Sequence, residues 1–366
     1  MNFKVSLIKS LEFMNLITNK LIIKKQINYQ AEFKKIALIS TKPLGIGDLI
    51  MSTPFIKTLR KSFPKAKLHL ITDKDLFEQV DELDKIHLVK GSLTSLKKEF
   101  SKLKKENYDL AIIMNRGVNQ YIYAKALKPR FVLGYFGGFE VLSNFKLKKH
   151  LKFDKNGHFS YMALNIASSL GLNLEKSLIK PKFSEKTKQN VQKFVNSLNL
   201  DKKKTIALNP FVLWESRRWD EKNYIKLIEK LNNKFNVILY GGSDAVDLNQ
   251  EIEQKSKYKL YNITGKLNLK ESLEILNYVD LFISADAGPM HFAFMMNIPT
   301  ISFFGPVNPN QRLPIINGKN KAFWDKPKQM YNYESEYIDY KLNGLNKIKV
   351  ENVYKEINKF FKEGRF

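Results

Sequence analysis

Cysteine is absent from this 366-residue chain. That absence excludes disulfides, iron–sulfur clusters, thiolate zinc and cysteine nucleophiles together, and it suits a reducing compartment. Arginine is nearly as scarce: seven of the 62 basic residues are Arg and the rest Lys, against 36 acidic residues and a formal charge of +26. Such a charge invites a nucleic-acid reading. Phosphate-reading surfaces lean on arginine forks, however, and these lysines are spread from end to end with no nucleic-acid module visible. No nucleic-acid partner is therefore expected. Solvated lysine faces are the simpler account, and attraction to an anionic membrane surface is the second. Low-complexity tracts are also missing. At 43% hydrophobic and 12% aromatic the composition is that of a globular protein, and the length suits two domains.

No apolar run reaches the roughly 18 residues that a spanning helix needs. In the first stretch Phe3, Leu7, Leu11, Met14, Ile17 and Leu21 recur at helical spacing, which argues for an amphipathic helix. Lys4, Lys9, Lys20, Lys24 and Lys25 interrupt it, and Lys9 breaks the apolar centre of a signal peptide. Residues 1–34 read as an extension that packs on the body or, alternatively, lies on a membrane.

From residue 35 the chain alternates between short apolar runs and helical stretches. "KIALIS", "KLHLIT", "KIHLVK", "YDLAIIMN" and "FVLGYF" form one series; "KTIALNP", "FNVILYGG", "DLFISADAG" and "TISFFGP" form the second. In the second series helices are expected to begin near Glu221, Asp244, Lys270 and Pro289. Such alternation predicts parallel sheets covered on both faces. The expected fold class is α/β, two doubly wound Rossmann-like domains facing a central cleft. Residues 35–184 and 185–345 are the two domains, a helix near 180–204 bridges them, and 346–366 is a closing helix. Ligands in such sheets bind at the carboxyl ends of the strands, so the loops after strands are where chemistry is expected.

Two nucleotide motifs are missing from those loops. In "KPLGIGDLIMSTP" (residues 42–54), Ile50 stands where G-x-G-x-x-G needs its third glycine, and G-x-x-x-x-G-K-S/T occurs nowhere. What survives is Asp48 after two glycines, with Thr53 and Pro54 as an N-cap and first-turn pair. Asp48 is either a cleft carboxylate or a charge that compensates a helix end. In "SADAGPMHFAFMMNIPT", Asp286, Gly288 and His291 follow a strand at the start of a helix, where free N–H groups suit a phosphate. A lone histidine is more often a packing residue, though not usually beside such a Gly-Pro turn.

Together, "LGIGDLIMSTPFIKTLRKSFP" and "DAGPMHFAFMMNIPTISFFGP" resemble the paired motifs of glycosyltransferase family 9, the lipopolysaccharide heptosyltransferases, in the same order and separation. The resemblance covers roughly residues 35–365. It implies a GT-B fold with an N-terminal acceptor domain and a C-terminal nucleotide-sugar domain. It also implies inverting transfer of a heptose from an ADP-linked donor to a lipopolysaccharide-core acceptor, with no metal and no other cofactor. No close His/carboxylate ligand cluster is visible in the sequence.

Carried over residue by residue, the resemblance makes Asp48 the catalytic base, taking the proton of the acceptor hydroxyl. Arg217, Asp286, Gly288, Pro289, Met290 and His291 fall on the donor and its diphosphate. Arg217 stands where the family has Lys before a Trp, and a guanidinium can grip phosphate bidentately; an ion pair with Glu215 or Asp220 is the competing account. Gly241, Gly242, Asp244, Thr264 and Gly265 would lie on the nucleoside side, though capping by Asp244 explains its position nearly as well. Gly47, Asn115 and Arg116 would lie on the acceptor side.

The sequence departs from the family pattern in three places. Ala287 replaces the Thr of D-T-G, Phe211 follows Asn209-Pro210 where the family has a smaller turn, and Arg217 replaces Lys. These leave the sugar open: a different sugar moved to a surface glycan by the same fold, or an inactive nucleotide-sugar-binding protein, are the alternatives. The expected partners are a nucleotide-sugar donor and an anionic lipid-linked glycan. The expected location is the cytoplasm, with peripheral contact at the inner membrane.

Overall fold

The computed structural model describes residues 33–41, 45–89, 96–114, 118–136, 139–141, 161–315, 319–327 and 345–364. The N-terminal extension, Asn115 and Arg116 lie outside them.

Aliphatic runs make the strands. In the first half β1 (Lys35–Ser40), β2 (Lys67–Thr72), β3 (Lys85–Leu88), β4 (Leu110–Ile113), β5 (Phe131–Phe136) and β6 (Phe139–Val141) form one sheet in the order 3-2-1-4-5-6. In the second half β7 (Thr205–Asn209), β8 (Asn236–Leu239), β9 (Tyr261–Asn262), β10 (Leu281–Ala285), β11 (Thr300–Phe304) and β12 (Asn320–Trp324) form another, in the order 12-11-10-7-8-9. Both orders reverse direction beside the first strand of their series, the doubly wound arrangement in which ligands sit at the reversal point. All pairings are parallel except β5 with β6. The central strands are buried on both faces, as helix-covered parallel sheets require.

Between the strands of the first half run α1 (Ile46–Met51), α2 (Thr53–Ser62), α3 (Leu96–Lys104) and α4 (Val118–Ala126), followed by α5 (Tyr161–Ser169). The bridge between the halves is α6 (Glu185–Ser197), started by the Ser184 side chain accepting from Thr187 N–H. The second half adds α7 (Glu221–Leu231), α8 (Val246–Lys255), α9 (Leu269–Glu274) and α10 (Gly288–Met295), and α11 (Val350–Glu363) closes it. In α7, Tyr224, Leu227, Ile228 and Leu231 form one buried stripe, and Asp220 caps the first turn, so periodicity and capping agree. A continuous buried cluster runs from Ile36 and Phe55 through Ile179, Phe183 and Val191 to Tyr240 and Phe282, tying the halves together.

Three strands escaped the sequence reading. β6 has three residues and β9 two, while β12 begins with two polar residues and is only half buried. The reading also missed α1. Thr53 is not the N-cap of α2; Ser52 holds that position. Thr53 is fully buried, donating to Ile50 O at 2.7 Å and accepting from Ile179 N–H.

Candidate functional site

The two reversal points face each other across a cavity of about 620 Å³, a size suited to a small-molecule ligand. One wall comes from the first half: Gly45 to Asp48, after β1. The other comes from the loops after β7, β8, β10 and β11.

Asp48 is the third residue of α1, and its Oδ2 accepts from the Gly45 N–H at 2.8 Å, closing the helix start on itself. Its carboxyl is mostly buried, and burial pushes its pKa up. Arg312, the Gly45 N–H and Arg217 pull it down, and the Asp286 charge adds to the rise. The net direction is upward. A buried carboxylate of raised proton affinity beside a cavity is the form a general base takes.

Opposite it, Asp286 is only 4% exposed, with Arg217 Nη1 at 3.1 Å from its Oδ2. Burial is the largest influence on Asp286 and opposes ionisation, but Arg217, Arg312 and His291 together outweigh it and its pKa is lowered. The competing account of Arg217 is corrected: its partner is Asp286, sixty-nine positions along the chain, not Glu215 or Asp220. Arg217→Gln is expected to strand the Asp286 charge and cost about 3 kcal/mol, the low end for a buried pair losing one partner. Asp286 contributes stability above its unfolded pKa, lost as pH falls through the lowered folded value. The melting-temperature gap between wild type and Arg217→Gln should therefore narrow towards acid pH. Adding Asp286→Asn should recover part of the loss.

Ala287 is the N-cap residue of α10 and provides no side-chain cap. Ala287, Gly288 and Pro289 all line the cavity, so the uncapped helix start faces it and favours an anion there. Gly288 also has a packing role. A Cβ on it would lie 3.1 Å from Ile46 Cγ2, so it lets α10 touch α1. Gly47 does the same from the other side, against the buried His291 ring. Met290 is fully buried with Phe294 and Phe304 and does not line the cavity.

Of the residues expected on the nucleoside side, Gly242 and Asp244 line the cavity but Gly241, Thr264 and Gly265 do not. Thr264 accepts from the buried Asn249 Nδ2 at 2.7 Å, and Gly265 makes a left-handed turn at φ 70°. Neither the 3-10 turn Ser243–Ala245 nor α8 behind it has a side-chain cap, so Asp244 is not the cap its position suggested. Arg218 does not line the cavity, and Trp219 is core: its Nε1 donates to Ile348 O at 2.9 Å.

Two further lining features were missed. Arg312, after β11, brings Nη1 to 3.8 Å from Asp48 Oδ1. The signal that could have found it is the scarcity of arginine in this chain, seven among 62 basic residues. Leu213 and Trp214, 77% and 39% exposed, form an apolar lip in the loop after β7.

The expectation of no His/carboxylate cluster also needs correction. His69 on β2, His87 on β3 and Glu106 in the turn after α3 come together, away from the cavity. His69 Nδ1 lies 3.1 Å from the Tyr108 hydroxyl and 3.2 Å from His87 Nε2. Burial and the neighbouring His87 bring His69 down to about 4. Both oxygens of Glu106 are held by lysines, Lys35 and Lys85, so the group fits a hydrogen-bonded brace for the β3 edge.

A family model described as glycosyltransferase family 9 (heptosyltransferase) matches residues 96–338. The chain belongs to glycosyltransferase family 9. It is an enzyme of the glycosyltransferase class. This family 9 chain is 27% identical over 296 residues to lipooligosaccharide heptosyltransferase 2 of Campylobacter jejuni, covering 76% of this chain and 84% of that one. It is 24% identical to lipopolysaccharide heptosyltransferase 3 of Escherichia coli K12, covering 71% and 79%. Among solved structures, a family 9 glycosyl transferase from Veillonella parvula superposes with a TM-score of 0.75 at 20% identity, covering 91% of this chain and 99% of that one. The E. coli ADP-heptose LPS heptosyltransferase II superposes at 0.69 and 18% identity, covering 90% and 99%. The fold is therefore GT-B, as its two facing sheets already indicated.

Proposed function

We propose that this family 9 enzyme transfers a heptose, with inversion, from ADP-heptose to the inner core of a lipopolysaccharide or lipooligosaccharide. The observation that carries the chemistry is Asp48, a carboxyl of raised pKa on one cavity wall, opposite a wall holding Arg217 and the uncapped start of α10. Sugar and acceptor come from the relatives, two of which are named as heptosyltransferases of lipooligosaccharide and lipopolysaccharide.

Asp48 takes the proton of the acceptor hydroxyl as that oxygen bonds to the anomeric carbon. The bond from that carbon to the diphosphate breaks on the opposite side, which inverts the centre. The departing ADP gathers negative charge, met by the N–H groups at the start of α10, by His291 and by Arg217. These groups supply the charge that the step needs, so no metal step is included. Gly47, Asn115 and Arg116 are assigned to the acceptor side, and Gly242 and Asp244 to the nucleoside. The enzyme is assigned to the cytoplasmic face of the inner membrane as a peripheral protein; among the described residues no helix is long and apolar enough to cross it.

The test is a mass gain of one heptose on heptose-deficient core after incubation with ADP-heptose, the anomeric configuration then read by NMR. ADP binding without mass gain would reject the sugar or the acceptor while leaving the family intact. Transfer of a different sugar is the second reading, favoured by Phe211 and Ala287, which line the cavity at positions where the family pattern differs. A panel of nucleotide sugars separates the two.

A further inference from the structure

Arg312 reaches the cavity from the segment after β11. It follows the 3-10 turn Pro309–Gln311, whose start is capped by the Asn308 side chain accepting from Asn310 N–H at 3.0 Å. The Arg312 side chain is 13% exposed and Asp48 19% exposed, so little water screens them. Their separation of 3.8 Å is within ion-pair range but too long for a direct hydrogen bond. Arg217, which also bears on Asp48, already lies 3.1 Å from Asp286. Among the described residues, the groups that bear on Asp48 are thus the Gly45 N–H on its own helix, Arg312 after β11, and Arg217 and Asp286 beyond; Arg312 bears on Asp286 as well. The His291 ring of α10 packs beside it, against Gly47.

We infer that Arg312 is a shared cation: it rests on Asp48 until a donor binds, and the donor diphosphate then draws it off, so that donor binding turns Asp48 into the stronger base. This rests on the reading of Asp48 as the acceptor base. A diphosphate in the cavity carries more negative charge than one carboxylate, and Arg312 lines that cavity. Moving a guanidinium from Asp48 to phosphate removes a stabiliser of the ionised carboxylate. Proton affinity at Asp48 rises, and with it the driving force for taking the acceptor proton. The acceptor is then activated only when a donor is in place, which suppresses unproductive encounters.

The test is a double-mutant cycle for binding, on the full chain. Pyrophosphate, the part common to all nucleoside-diphosphate donors, and ADP are titrated into wild type, Asp48→Asn, Arg312→Gln and the double variant. Asp48→Asn should tighten pyrophosphate about fivefold in the wild-type background by releasing Arg312, and less than about twofold when Arg312 is gone. Loss of an anion alone would tighten both backgrounds equally, and that result overturns the inference, as does failure of wild type to bind pyrophosphate. If pyrophosphate obeys the cycle and ADP does not bind, the ADP reading fails and the shared cation stands. Arg312→Lys retains the charge and should restore part of the cycle, which separates charge from folding. In wild type the acidic limb of kcat should lie at higher pH than that of kcat/KM for the donor, and in Arg312→Gln the gap should shrink to what direct repulsion by the diphosphate leaves. Coincident limbs in wild type would overturn the inference.

Discussion

Asp48→Asn is expected to lower sugar transfer about a thousandfold, the middle of the range for losing a general base. ADP binding and the fold should survive. The helix start gives the reason: Asp48 accepts the Gly45 N–H through one oxygen, and an asparagine carbonyl can accept the same bond. The charge at the start of α1 is lost, worth about 0.3–1 kcal/mol, but so is the cost of burying it. Melting temperature should therefore move little while rate collapses. The pH dependence carries a second signature. Burial raises the pKa of Asp48, so wild-type transfer should fall on acidification at a pH above the ordinary carboxylate range. The residual rate of Asp48→Asn should be flat across that interval. Transfer within threefold of wild type in a folded variant would remove Asp48 from the chemistry and return it to the role of a helix-start residue.

How much of this site could be read from the sequence depended on distance along the chain. The strands after which chemistry sits, "KIALIS", "KTIALNP", "DLFISADAG" and "TISFFGP", are apolar, the last three run into glycine or proline, and all became inner strands of their sheets. Strand periodicity is local and therefore legible. The ion pair of Arg217 with Asp286 is not local. Sequence proximity favoured Glu215 and Asp220, whereas the fold places β7 beside β10 and brings position 286 to the loop after β7. Arg312 was missed for the same reason, its partner Asp48 lying in the other half of the molecule. His69 and His87 stand two residues out of register on adjacent strands, a diagonal pair that appears only once β2 pairs with β3. The role of the two glycines was not legible. Gly45 is ordinary extended chain at φ −75° and Gly47 sits inside α1, so neither is there for a left-handed backbone. What Gly47 needs is space, and a sequence does not display a neighbour from 244 positions away.

Gly47→Ala is therefore expected to be far more damaging than its helical setting implies. Alanine is the better helix former, and in an isolated helix the change would be favourable by up to about 1 kcal/mol. Here the added Cβ would lie 2.5 Å from His291 Cδ2, with two further ring atoms at 3.1 and 3.2 Å. The ring has little freedom to retreat: it is buried, and it packs edge-on against Phe294 at 5.7 Å. Relief must come from α1 moving away from α10, and Asp48 is the next residue. Overpacking of this kind costs about 1–3 kcal/mol, and displacing a reacting group by about 1 Å can cost a hundredfold in rate. A Gly47→Ala protein should thus melt lower and transfer sugar at most about a hundredth as fast. Gly45→Ala is the matched control. Its Cβ would meet Asp48 Oδ2 at an ordinary 3.7 Å, and its backbone suits any residue, so stability should be unchanged or slightly improved. His291→Ala in the Gly47→Ala background should restore melting temperature even though the donor side is impaired, because it removes the atoms that the new methyl strikes. Equal tolerance of alanine at 45 and 47 would mean that α1 and α10 are not held in contact, and the cavity between the halves would lose its floor.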